Sequence, residues 1–418
     1  MAEKMKLLVV CQHYWPENFR INDIVEGFLE RGHEVDVLCG QPNYPTGEFF
    51  DGYDSHSIKE EMHGKVRVYR TFEIKRGSNS NLRIFLNYMA FPIASSFQVG
   101  KLKKNHYDKV YIYQLSPVMM SYAGIRIAQK KKIGCAMYIL DIWPQNLYSV
   151  IPIKNKLLRK FLYSWSMWYY KKPEQLITVS EKMRQYFLTV LGKNDEDITF
   201  IPQCPEKLYE QTVHDAELEA RFSEGFRIVY TGNISPAQDV ESITQAAAMC
   251  VEEGMTDLRF IIVGDGMSRS HWEDLIAEAR LNDYFIFEGF HPIEDIPKYT
   301  ALADALLGTL SKDGLQDFSI PAKVMSYLAA GRPLLLAMEG EPEEIIQKQT
   351  VDSVPNRAMP KRLQGTSKHC MQWMRRNENS WAITPVHISR RILNGIGVLT
   401  RCWRSSNGHE KTDHYSGL

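Results

Sequence analysis

The chain has 418 residues, more than one core of ordinary size holds, so two domains are expected. Lys and Arg number 50 and Asp and Glu number 50, a formal net charge of zero that argues against a surface built wholly for nucleic acid or an acidic partner. The hydrophobic share of 44% is ordinary for a globular chain, and the absence of any apolar run of about 18 residues argues against a spanning helix.

The first apolar run, in MAEKMKLLVVCQHYW, lacks a small-residue cleavage pattern and reads as a buried strand rather than a signal peptide. Residues 6–12 and 34–39 have the length and branching of parallel strands. Between them INDIVEGFLERG has helical spacing and ends on Gly32, an expected C′ residue. Further strands are expected at 65–70, 109–114, 136–142 and 175–180. After IPQCPEKLYE the pattern restarts, with strands at 227–232, 259–266, 284–289 and 303–310 and helical segments such as VESITQAAAMCVEEG between them. The expected fold is α/β: two Rossmann-like, doubly wound domains over residues 1–200 and 201–348, with ligands in a cleft beyond the carboxyl ends of the strands.

Neither half carries G-x-G-x-x-G or a P-loop, so nicotinamide, flavin and P-loop chemistry have little support, and no cofactor is expected. The seven cysteines (11, 39, 135, 204, 250, 370, 402) form no C-x-x-C pair and sit mostly among apolar neighbours. They read as buried thiols in a reducing cytoplasm, with no metal-ligand cluster.

The zero charge is a cancellation. From residue 349 onward, eight Arg and three Lys face two Asp and two Glu, a net +7, which leaves −7 on the rest. This basic tail shows no helical or strand periodicity and is expected to lack regular structure.

The second half holds the most specific motifs. YTGNISPAQDVESITQAA, FIIVGDGMSR, FEGFHPIEDIPKYTALADALL and IPAKVMSYLAAGRPLLLA occur in that order. Together they resemble the donor domain of family 4 retaining glycosyltransferases, which have the GT-B fold. YQLSP (113–117) and LDIWPQNL (140–147) are similar to the branch that builds bacterial capsule and O-antigen polysaccharide, which includes fucosamine-transferase-like enzymes. The resemblance covers about residues 5–348 and implies transfer of a sugar from a nucleotide-diphosphate donor, UDP-linked, to a polyprenyl-linked acceptor, with no nucleic-acid partner. Two alternatives stand beside it: a catalytically dead GT-B-like protein, and a UDP-sugar epimerase on the same fold.

Residue chemistry assigns the donor side. Gly232 ends a strand before a helix, where free backbone N–H groups meet a diphosphate. Gly264 and Gly266 let the backbone approach a flat ligand, and the resemblance puts the nucleotide base there. Lys323, near a helix start, is a point charge for the departing pyrophosphate. The chain departs from the family pattern in two places. Many relatives hold the phosphates with an Arg and a Lys, where NISPAQD offers Asn233 and Gln238. Two glutamates eight positions apart are replaced by Phe318 and Ser326, and of the ribose contact usually given to the second of them Ser326 can make only a weaker version. Tyr327 and Leu328 read as core and Gly331 as a helix cap.

In the first half Asp141, at the carboxyl end of a strand, is placed to orient or deprotonate an acceptor hydroxyl, with a helix N-cap as the plainer alternative. Asn18, Arg20 and Ser116 are further acceptor-side candidates. His13 is expected to pack beside Tyr14 and Trp15. Residues 154–172 combine Lys and Arg with Trp165, Trp168, Tyr163, Tyr169 and Tyr170, which suits a helix lying on the anionic inner leaflet of the cell membrane. The apolar segment RIFLNYMAFPIASSF extends that surface. Past Lys348 the motifs stop. Read one base out of register, the tail permits a peptide with the Cys-Gly, Asn-Ala-Glu-Ala-Leu and Gly-Asp-Asn-Ala-Arg features that the resemblance leads one to expect, so a shifted frame is the expected origin of 349–418.

Overall fold

Short branched apolar strands bury both faces, so each needs a helix on either side of its sheet, and the chain supplies them by placing helices between most successive strands. The computed structural model describes residues 4–77, 81–151, 153–209, 213–310, 318 and 320–338, together with the backbone of 381–384. Among these, one compact unit runs to Gln203 and a second begins at Cys204.

In the first unit, β1 (Lys6–Val10), β2 (Glu34–Cys39), β3 (Glu60–His63), β4 (Val66–Arg70), β5 (Lys109–Gln114), β6 (Gly134–Ile139), β7 (Gln175–Thr178) and β8 (Ile198–Phe200) form one sheet. Their order is β3-β4-β2-β1-β5-β6-β7-β8, parallel except for β3 against β4. The order reverses between β1 and β5, which makes their carboxyl ends the topological switch point. Helices α1 (Arg20–Glu30), α2 (Asn81–Leu102), α3 (Tyr122–Lys131), α4 (Gln145–Val150), α5 (Lys156–Tyr170) and α6 (Glu181–Leu191) connect the strands. Gly32 ends α1 at φ +85°, with its N–H on the Leu29 carbonyl and the His33 N–H on the Phe28 carbonyl. That is the C′ role read from the sequence.

The second unit runs α7 (Ala216–Arg221), β9 (Phe226–Thr231), α8 (Val240–Glu252), β10 (Leu258–Val263), α9 (Arg269–Glu278), β11 (Phe285–Gly289), α10 (Ile296–Leu302), β12 (Ala305–Thr309), α11 (Ala322–Ala330), β13 (Leu334–Ala337) and β14 (Trp381–Thr384). Its sheet order is β11-β10-β9-β12-β13-β14, with the switch point between β9 and β12. Tyr230, Ile262, Leu307 and Trp272 lie in its core, Trp272 edge-on to Tyr230.

All ten expected strands are present, with ends trimmed by a few residues. The two that periodicity missed in the first unit are Glu60–His63, a polar edge strand, and Ile198–Phe200, only three residues long. The expectation of a tail without regular structure is corrected at Trp381–Thr384, whose backbone pairs antiparallel with β13. Aromatic and β-branched residues suit that open edge. The rest of the tail, and with it the shifted-frame reading, lies outside the described residues. Cys11, Cys39, Cys135 and Cys250 are buried, Cys204 is half-buried, and none of the five is in a disulfide.

Candidate functional site

The donor side begins where β9 ends. Gly232 takes φ +132°, but its N–H donates to the Val263 carbonyl at 2.9 Å and the Ile234 N–H to the Asp265 carbonyl at 3.0 Å. The N–H groups of Gly232 and Ile234 are thus engaged within the protein, because the turn is stitched to the loop after β10. Gly264, at φ +142°, and Gly266 have a related explanation. A Cβ on either would collide with the carbonyl of Gly232 or Ile234, so the space they leave accommodates this neighbouring turn.

Helix α11 is clamped to the same strand end. The Tyr327 hydroxyl accepts the Thr231 N–H at 2.8 Å and donates to the Thr231 carbonyl at 3.2 Å. Tyr327 and Leu328 are buried and Gly331 caps the helix at φ +65°, as read from the sequence. The clamp carries Lys323 to the turn. Its ammonium donates to the Tyr230 hydroxyl at 2.9 Å and to Gln238 Oε1 at 3.0 Å, and lies 4.0 Å from the Tyr230 ring centroid. Tyr230 in turn donates to the Asn233 carbonyl at 2.8 Å. Gly232, Asn233, Gln238 and Lys323 are thus gathered around Tyr230, which in the sequence shows only as a strand residue. Burial pulls the Lys323 amine down to about 7. No carboxylate among the described residues forms a salt bridge with it. Such an amine gains a full positive charge when an anion arrives. Ser326, one turn along α11, donates to Glu206 Oε2 at 2.7 Å.

On the first unit, Asp141 follows β6 by two residues and accepts the Ser116 N–H at 3.2 Å. Burial raises its carboxyl above the ordinary range, while hydrogen bonds from Ser116 and Asn146 pull the other way. Pro144, not Asp141, is the residue before α4, so the N-cap alternative fails. Tyr113, buried at the end of β5, feels both the Arg20 guanidinium and the Asp141 carboxylate. Ser116 and Asp141 are thus in direct contact, and Arg20 acts electrostatically on Tyr113 at the end of β5. Asn18 is exposed in the loop between β1 and α1.

His13 is corrected in its neighbours. It stacks on Phe19 at 4.7 Å, while Trp15 stacks on His63 instead. The His13 Nδ1 lies 3.0 and 3.1 Å from the two carboxylate oxygens of Glu17. Glu17, 1% exposed, also accepts the N–H groups of Asn43 and Tyr44, each at 2.8 Å. In the sequence the only sign of Glu17 is its spacing of four from His13. No group of three His, Cys, Asp or Glu at metal-binding spacing occurs among the described residues.

Helix α5 buries Ser166, Met167, Tyr169 and Tyr170 and leaves Leu157 79% and Phe161 61% exposed, with Leu158 and Trp168 also at the surface. Lys154, Lys156, Arg159, Lys160, Lys171 and Lys172, in and flanking the same helix, are exposed as well. On the same unit α2 exposes Phe85, Ile93 and Phe97 and lines, with Phe72 and Ile74, an open apolar groove of about 460 Å³. No described helix is long and apolar enough to cross a membrane.

Two family models match the chain: "Glycosyltransferase Family 4" over residues 19–204 and "Glycosyl transferases group 1" over residues 225–363. Among curated relatives, the colanic acid biosynthesis glycosyl transferase WcaI of Escherichia coli K12 is 24% identical over 355 residues, 81% of this chain and 84% of that one. Among solved structures, sucrose-phosphate synthase from Thermosynechococcus elongatus aligns with a TM-score of 0.64 at 13% identity, covering 97% of this chain and all of that one. Anabaena HepE, solved with UDP and glucose, aligns with a TM-score of 0.57 at 14% identity over 95% of each chain.

Proposed function

We infer that this chain, which belongs to the family 4 glycosyltransferases and has their GT-B fold, moves a sugar from a nucleotide-diphosphate donor to a lipid-linked acceptor in cell-surface polysaccharide assembly. The observation that carries this reading is Lys323, held against Tyr230 and Gln238 at the carboxyl end of β9 without a carboxylate partner among the described residues. The donor's diphosphate would take that place. Asn233 and Gln238 do what an Arg and a Lys do in many relatives, positioning the phosphates while Lys323 supplies the charge. The E. coli relative is named for colanic acid biosynthesis, and the Anabaena structure holds UDP, which favours a UDP-linked sugar.

Catalysis in this account rests on stabilising the departing diphosphate, where negative charge grows as the glycosidic bond breaks. Asp141 aligns the acceptor hydroxyl and takes up its proton, a role that suits a carboxylate whose affinity for protons is raised by burial. Retention of configuration follows from the family resemblance. The basic, aromatic surface of α5 rests on an anionic inner leaflet, and the α2 groove extends the apolar contact towards a polyprenyl chain. A shifted frame is our reading of the tail, with its start at or beyond residue 349 since the group 1 model matches on to residue 363; sequencing the DNA from codon 348 onward tests it, and an early stop in the other frame rules it out.

Incubation with nucleotide-diphosphate sugars, with and without a polyprenyl-linked sugar, tests the function. Transfer to the lipid supports it. No turnover points to a dead GT-B-like protein, and an epimerised free donor points to an epimerase.

A further inference from the structure

On the first unit, the chain leaving β4 runs along the apolar face of α2. Phe72 and Ile74 from this segment, with Leu86, Met89, Ile93 and Phe97 from α2, line the open groove of about 460 Å³. The four helix residues share one face and span about 16 Å of its axis, room for several prenyl units in line.

Arg76 stands at the Ile74 end, since two residues of chain keep their Cα atoms within about 7 Å. Its guanidinium lies over the Tyr44 ring at 5.6 Å and over the Tyr88 ring at 5.7 Å. Among the described residues it forms no salt bridge and no hydrogen bond, whereas neighbouring Lys75 is paired with Glu48 Oε2 at 2.6 Å. Aromatic rings engage the flat face of a guanidinium and leave its N–H edge for an anion. Phosphate is an anion whose geometry that edge matches. A second guanidinium side chain is close by: a Cβ on Gly77 would stand 3.1 Å from Arg83. Tyr44 links the cation to the loop after β1, its ring centroid 5.2 Å from Phe19 and 5.8 Å from His13. A molecule with a hydrocarbon chain, a phosphate and a sugar, joined in that order, matches an apolar groove, a cation and a loop at the switch point.

We propose that Arg76 binds the phosphate of the prenyl-linked acceptor. The prenyl units next to that phosphate lie in the α2 groove, and the sugar turns towards the loop after β1. This rests on the lipid-acceptor reading given above and names the residue that selects for such an acceptor.

The test is calorimetric titration of the full chain with farnesyl diphosphate and with inorganic pyrophosphate, for wild type, Arg76→Gln and Ile93→Asp. Ile93 is exposed and Arg76 half-buried, and circular dichroism checks that both variants fold. Wild type should bind farnesyl diphosphate at least about tenfold more tightly than pyrophosphate, since the chain buries apolar surface. Arg76→Gln should weaken farnesyl diphosphate about 10- to 100-fold, as loss of a hydrogen bond to a charged group does. Ile93→Asp should weaken it about tenfold, and neither should change the affinity for UDP, whose expected site is in the other unit. Equal affinity of wild type and folded Arg76→Gln for farnesyl diphosphate overturns the assignment. Equal binding of pyrophosphate and farnesyl diphosphate overturns it too, and leaves a site for a free anion. Sedimentation with phosphatidylglycerol vesicles separates the bilayer: a loss there in Arg76→Gln, with farnesyl diphosphate binding unchanged, gives Arg76 to membrane headgroups instead. If wild type and Arg76→Gln transfer sugar equally to subsaturating polyprenyl-linked acceptor, this site falls and the function stands. If wild type neither transfers to that acceptor nor binds farnesyl diphosphate, the lipid-acceptor reading falls and this proposal with it.

Discussion

The Lys323 ammonium lies 2.9 Å from the Tyr230 hydroxyl and 4.0 Å from the centroid of the same ring, so one aromatic residue at the end of β9 meets the cation with both its hydroxyl and its ring. Tyr230 also donates to the Asn233 carbonyl, which ties the cation to the turn where phosphate is expected. Lys323 is thereby fixed in place before any ligand binds, and the cost is carried by its depressed proton affinity.

That cost has a sign. The folded amine titrates near 7 and an unfolded lysine near about 10.4, so between these values the unfolded chain binds more protons. The penalty is therefore fully present below pH 7 and fades as pH rises towards 10. Thermal unfolding should show wild type gaining stability relative to Lys323→Met across that window. The same substitution should lower transfer by about 10²–10³-fold, as loss of a preorganised charge-stabilising donor does. A variant with wild-type activity, or with an unchanged pH slope of unfolding, contradicts this role.

Asp141→Asn should reduce kcat by about 10²–10⁴-fold and leave the affinity for nucleotide unchanged, because Asp141 and Lys323 lie in different units. With the Asp141 carboxyl raised by burial, the acid limb of the wild-type pH–rate profile should fall above the usual carboxylate range. A profile whose acid limb survives the substitution assigns that limb to another group.

Glu17 is a structural prediction. Glu17→Ala strands the N–H groups of Asn43 and Tyr44 and removes the partner of His13, all at a nearly fully buried position. Urea denaturation should show a loss on the order of 2–4 kcal/mol. A loss below about 0.5 kcal/mol, the range of ordinary surface changes, would mean that the loop after β2 does not depend on Glu17.

For α5, the paired substitution Leu157→Glu with Phe161→Glu places charge on the exposed stripe and leaves the buried Met167 and Tyr170 alone. Sedimentation with phosphatidylserine-containing vesicles at low salt should drop about tenfold or more, with the unfolding temperature unchanged. Equal sedimentation of both proteins locates any membrane contact elsewhere.

How much of this was legible in the sequence depends on range. Strands such as Leu258–Val263 and Ala305–Thr309 declare themselves, since a strand buried on both faces must be an apolar run. Lys323 was legible because its motif surrounds it. Its titration was not, since that comes from burial beside Tyr230. The Tyr327–Thr231 clamp joins residues 96 apart and the Ser326–Glu206 bond residues 120 apart, and no local pattern announces such pairs. The glycines of VGDG were visible, but which backbone they admit was decided by the turn at Gly232.

The most direct test of the central claim, that the donor's diphosphate sits against Lys323, is proton counting on binding. A nucleotide-diphosphate sugar is titrated calorimetrically at pH 8 into wild type and Lys323→Met, each in two buffers of different ionisation enthalpy. The account predicts uptake of nearly one proton by wild type, none by the variant, and binding to the variant at least about tenfold weaker. Equal affinity and equal proton counts in the two proteins would contradict it.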